Sequence, residues 1–450
     1  MKHTNLPVSI SDQPFSLHGF CFPDIISPSL HKGKMEQTHY FFPASNQSAI
    51  SLQVELKGAE GECLSDFVEA KNKWSIDYNK FPYGQSESQW WEYCLAPHSY
   101  LPLNDGKIQV GLNFFNRFLH LDLNLRSAQL VDPGVGSAML STTNWFDQKT
   151  GELWFASWPA SQTVRRIINP RENVCVAIWK LAIQDERVEQ VWQGNLGDSL
   201  HQLSLSPDYR FLILTELGLR LEEAIPAESP DQDPSAWKKV RERGLVPSEI
   251  LILNLKTGKE WRLPPMLTAG HVEFDPDDQE ICYLSGHNIG LIGPKVGIFG
   301  SGIIKKYRLK KTGPEFAGEF SHPYFHRITT HIVFRHRGKI LIGVTGYPNT
   351  IFLIDAATMK LYKTIEMDLA DIVETVQFPH ICRQDSYGIG ASKDGEALIA
   401  VGTGFVQVAH IDEGRFSFNK RIDGYGDNSC FTGHLGMFNI TLKDKSCSPI

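Results

Sequence analysis

The sequence predicts an all-β protein: a single seven-bladed β-propeller, 1–450, with loop insertions. Three observations predict it. Short alternating apolar runs are separated by Gly, Pro, Asp and Asn; segments with a helical period are few; and a polar turn followed by an apolar strand recurs at a near-constant interval.

The strand-like runs, in chain order, include ISLQVELK, KIQVGLNFF, FLHLDLNL, GELWFASW, FLILTE, EILILNL, EICYL, KILIGV, TIFLIDA, EALIAVG and FVQVAHI. The turn precedes such a strand five times, in DQKTGELWFA, SPDYRFLILT, DPDDQEICYL, RHRGKILIGV and SKDGEALIAV. The second strands then begin near Glu152, Arg210, Gln279, Lys339 and Glu396, at intervals of 57 to 69 residues. Four short strands fit in each interval, as in a propeller blade with long loops. Earlier clusters near 50–60 and 107–125 bring the expected count to seven, and a last strand, His434–Leu442, closes the ring with N-terminal strands. Closure removes exposed sheet edges.

Two insertions interrupt the pattern. Residues 219–248 contain one short helix candidate, Pro234–Arg243, capped by Asp233, and read either as a solvated loop or as a lid over one channel mouth. Residues 286–304, GHNIGLIGPKVGIFGSGII, are apolar and glycine-rich. They lack the lysine end of a phosphate loop, so they read as a structural loop, a tunnel wall or a peripheral membrane contact, with Ile298 and Phe299 as the lipid-facing pair.

The formal charge of −7 and the absence of a long basic run argue against a nucleic-acid partner. Eight scattered cysteines without a CxxC suit reduced thiols, and no apolar stretch is long enough to span a bilayer. With no apolar leader apparent in MKHTNLPVSISDQPF, the expected location is cytoplasmic.

Chemistry concentrates in one column of the repeat. His201 opens HQLSLSPDYRFLIL, His271 opens HVEFDPDDQEICYL and His331 opens HIVFRHRGKILIGV. Aligned on the polar turns, the column reads Asn144, His201, His271, His331 and then Tyr387 or Gly388; His434, in TGHLGMFNI, joins it if the ring closes. First strands line a propeller channel, so the imidazoles converge on one mouth. Converging neutral imidazoles make a site for a divalent metal. Asn144 and Tyr387 are candidates to orient a substrate or a bound water. Glu273, two residues after His271, shares its strand face and is a candidate carboxylate partner. The competing reading makes these histidines loop braces, like the Gly-His pair of WD-repeats. Gly270-His271 and Gly433-His434 look like that pair, but the matching Trp-Asp is missing. His322, His326, His287, His336, His380 and His410 read as surface or core residues, and no G-x-S-x-G hydrolase motif is present.

Segments 142–158 and 200–216 resemble the carotenoid cleavage oxygenases. That family's first metal ligand lies in text like AHPxxDxxTGEL; here TTNWFDQKTGEL keeps TGEL but places Thr143 or Asn144 in the histidine slot. The second ligand opens HDFAxTxxY; here HQLSLSPDY keeps His201 and Tyr209 without the Asp-Phe. His271 matches the third ligand, His434 in GHLGMF the last, and His331 is an additional histidine able to replace the missing one. The resemblance implies a seven-bladed propeller, non-haem iron(II) and oxygenase-type alkene cleavage in a small, partly apolar substrate. A metal-assisted lyase or cyclase, a metal-free acid–base enzyme and a non-catalytic protein-binding propeller are the alternatives.

Overall fold

The computed structural model describes most of 97–159, 173–216, 248–286, 302–322, 331–366 and 387–421. It also gives the backbone pairing of strands at 3–54, 220–221, 245–246, 289–298 and 434–435. Among the described residues every regular element is a strand. The helix candidate Pro234–Arg243 and residues His287, Phe299, His326 and His380 lie outside them.

Sheets follow one another along the chain. Four antiparallel strands, paired in sequence order, form the 200–262, 269–321, 331–366 and 387–421 sheets. The 139–196 sheet is similar, with two short strands, Met139–Leu140 and Trp145–Asp147, both on Glu152–Trp158. The 97–131 sheet takes in both ends of the described chain. His3–Asn5 lies antiparallel on Ser127–Val131, and His434–Leu435 lies parallel to Pro97–Pro102. A further sheet spans 8–54.

The sequence pattern explains the layering. Phe211–Glu216 and Ile250–Asn254 are buried throughout, because central strands are covered on both faces and therefore read as continuous apolar runs. Outer strands such as Arg187–Leu196 and Gly313–Ser321 are largely exposed or half-buried and carry charges that discourage edge pairing. The core is a series of layers between consecutive sheets. Phe211, Ile213 and Ile252 pack on Val272, Cys282 and Leu284. Tyr283 and Ile304 pack on Ile342 and Phe352, and Phe334 and Leu341 pack on Ile389 and Leu398.

The polar turns tie consecutive sheets from 139–196 to 387–421. Arg210 reaches Glu280 at 2.8 Å, Asp277 pairs with Arg335, and His336 Nδ1 meets the Gly395 carbonyl at 2.8 Å. The Tyr209 hydroxyl donates to Asp147 of the preceding sheet, and its ring meets Trp145 edge-on at 6.0 Å. The Tyr209 that matches the oxygenase motif is therefore a brace between sheets.

First strands touch in order, from Pro97–Pro102 to Trp145–Asp147, Leu200–Leu205, Ala269–Phe274, His331–His336, Tyr387–Ala391 and His434–Leu435. The 8–54 sheet meets Ser127–Val131, the strand next to the edge.

Candidate functional site

Antiparallel register puts the start of each first strand beside the end of the second. Leu200 pairs with Glu216, Ala269 with Gly286, His331 with Val344 and Tyr387 with Gly402. The two inserted segments leave from the ends of second strands, so they rise at this same end. Each forms a hairpin there: Arg220–Leu221 on Leu245–Val246, and Ile289–Ile292 on Lys295–Ile298. The two hairpins touch each other.

At this end stand the three histidines, all buried: His201 at 9%, His271 at 2% and His331 at 1% exposure. Ring centroids of His201 and His271 are 4.8 Å apart, and those of His271 and His331 are 6.4 Å apart. Two of the three sit at irregularities. The register shifts between Leu200 and Gln202 and again between Ala269 and Val272. A bulge re-aims a side chain without ending the strand, and His201 and His271 occupy those extra positions. Thr215 fixes the second bulge from the neighbouring sheet by donating to the Gly270 carbonyl at 2.9 Å.

Gln202, unnoticed in the sequence, organises the centre. Its Oε1 accepts from the Val272 N–H at 3.0 Å and lies 2.8 Å from His271 Nδ1. Its Nε2 donates to the Val272 carbonyl at 3.1 Å. It also donates to Glu273.

His331 differs from its neighbours. Neither ring nitrogen has a hydrogen-bond partner. Burial pulls its pKa down to about 4; the nearby Tyr283 carbonyl opposes this, without the geometry of a made hydrogen bond. Glu273 keeps a narrow exposed edge. Burial nevertheless pushes its carboxyl up to about 7, against the lowering hydrogen bond from Gln202.

Asn144 precedes Trp145–Asp147 and is buried. Its Oδ1 accepts from Ser141 Oγ at 2.5 Å, while Nδ2 has no partner. Tyr387 opens Tyr387–Ala391, and His434 lies beside Ser99 in backbone register. The side chains of both lie outside the described residues. One further histidine belongs to the column by register. His98 sits between Pro97 and Ser99, where the strand shifts register, as His201 and His271 do. The signal was present: NDGKI is another polar turn, and the strand after it begins at Lys107, nine residues after His98.

A metal held by imidazole nitrogens at about 2 Å would set neighbouring ring centroids about 5 Å apart. The His201–His271 spacing of 4.8 Å fits, and the His271–His331 spacing of 6.4 Å is wider by roughly a side-chain adjustment. Among the described residues, no three His, Cys, Asp or Glu side chains stand, as placed, close enough to hold one ion. The donor chemistry nevertheless suits a divalent metal: buried imidazoles, one oriented by an amide oxygen and one with both nitrogens unpaired. Among the described residues no helix is long and apolar enough to cross a membrane. No protein-family profile matches the chain, and no curated protein aligns with it.

Proposed function

We propose that the sheets form a closed propeller and that His201, His271 and His331 hold a divalent metal at the mouth of its channel. The circuit of first-strand contacts supports closure. It passes through six sheets, with the 8–54 sheet, the seventh expected from the sequence, against the outer side of the first. The observation that carries the metal reading is His331: an imidazole 1% exposed, with both nitrogens unpartnered, beside the buried His271, whose ring in turn meets that of His201. Burying an imidazole this way costs about 1–3 kcal/mol per unmet group, and a ligand that satisfies it removes that cost.

A bound divalent metal supplies a Lewis acid with open positions. The chain supplies the rest. The histidines bind in the neutral form. Glu273, on the strand of His271, is the carboxylate placed to hold or take a substrate proton. Asn144 has an unpaired amide donor to orient a substrate oxygen. The paired hairpins at 220–246 and 289–298 rise at this end, and the apolar text of the second suits a small, partly apolar organic substrate. Iron(II) and alkene cleavage are the combination that the family resemblance favours. A metal-assisted lyase would use the same donors with Glu273 as base. Elemental analysis of purified protein tests the reading: about one metal per chain in the parent, and loss of it in the His201→Ala/His271→Ala/His331→Ala variant. Equal metal content in the two would overturn it.

A further inference from the structure

We infer that Gln202 is a positioning residue that fixes the tautomer of His271, so that Nε2 is the ring's lone-pair nitrogen. This deepens the metal reading and rests on it for its consequence, but not for its geometry. A side-chain amide can be placed either way round, and its partners decide the orientation. Here the backbone decides. Val272 offers one N–H donor and one carbonyl acceptor, and Gln202 meets both, at 3.0 and 3.1 Å. The atom facing the N–H must be oxygen and the atom facing the carbonyl must be nitrogen. That same oxygen lies 2.8 Å from His271 Nδ1. An amide oxygen only accepts, so Nδ1 carries the hydrogen, and in a neutral ring the lone pair falls on Nε2.

The arrangement is also saturated. Gln202 is buried at 6% exposure, its oxygen accepts two hydrogen bonds, and its two N–H groups go to the Val272 carbonyl and to Glu273. One side chain from the 200–262 sheet thus mimics a strand partner for the next sheet and sets a ring in it. A residue serving only to join sheets would need the two Val272 bonds and not the third.

The test separates this role from the metal reading. In metal-free protein with ¹⁵N-labelled histidine, the His271 signal is identified as the one lost in His271→Asn. The expected Nδ1 is of the protonated, pyrrole type in the parent. It stays so in Gln202→Glu, which keeps an acceptor oxygen, and shifts to a tautomer mixture in Gln202→Leu. A pyridine-type Nδ1 in the parent, or an unchanged signal in Gln202→Leu, overturns the inference whether or not any metal binds. Cobalt(II) titration then reads the consequence: Gln202→Leu lowers affinity by about 10–100-fold, and Gln202→Glu recovers most of it. If the parent takes up no cobalt(II) but the tautomers follow the expectation, the metal reading fails and the role of Gln202 stands.

Discussion

The two ends of the first strands are built on opposite terms. At the turn end, polar groups are matched within a few residues. Ser206 accepts from the Arg210 and Phe211 N–H groups at 3.1 and 2.8 Å, and Ser392 accepts from Ala397 N–H at 2.9 Å. Asp275 takes the N–H groups of Asp277 and Asp278 and the Tyr283 hydroxyl, at 2.9, 3.1 and 2.7 Å. Burial pushes the Asp147 carboxyl up, but Thr150, Tyr209 and two backbone N–H groups together hold it below the usual carboxylate range. His336 Nε2 is the exception there: it has no hydrogen-bond partner, only an Asp412 oxygen at 3.4 Å. At the histidine end, His331 has two unmet nitrogens though it is buried; Asn144, buried just before Trp145–Asp147, has one unmet amide. A ring unmet at both nitrogens, beside a second buried histidine, marks where a ligand belongs; turns whose groups are mostly matched mark where sheets are joined.

The sharpest way to break the comparison is to disrupt the joined end. Gly395 has φ +72°, and a β-carbon on it would clash with the Arg335 carbonyl of the preceding sheet. Gly395→Val should destabilise the fold by about 3 kcal/mol or more, measured by denaturant unfolding. A loss under about 1 kcal/mol would mean that the turns do not clamp neighbouring sheets.

A second test is pH. Folded His331 stays neutral down to about 4, whereas an unfolded histidine takes up its proton near 6.5. Between these values the unfolded chain binds more protons, so stability falls as pH drops through 6.5 and levels off near 4. The expected loss is about 3 kcal/mol for metal-free protein, and His331→Leu should lack that component. An identical pH profile in the two proteins would show that the ring is not held neutral. His331→Leu should also leave metal-free stability at neutral pH unchanged or raise it by about 1 kcal/mol, because it removes unmet polar atoms. Smallest is Arg335→Ala. Its pair with Asp277 is solvent-exposed, and the change should stay within about 0.5 kcal/mol.

Much of this contrast was legible in the letters. The turns announce themselves because Ser, Asp and Gly close them locally, and the histidine column follows from counting back from each turn. The buried second strands were legible as continuous apolar runs. Gln202 was not, since its partners are 69 to 71 residues away on another sheet, and no local pattern marks a polar residue in LHQLSL as buried. The bulges at His201 and His271 hid as well, because an extra residue breaks the alternation by which strands are read. His98 was missed for a related reason: Pro97 masks the start of its strand.

Anomalous diffraction from crystals grown with iron(II) or cobalt(II) addresses the central claim most directly. The account predicts one peak within about 2.3 Å of a nitrogen on each of His201, His271 and His331, with His331 drawn toward the other two. Ordered water on both His331 nitrogens, with no anomalous peak among the three rings, would contradict it.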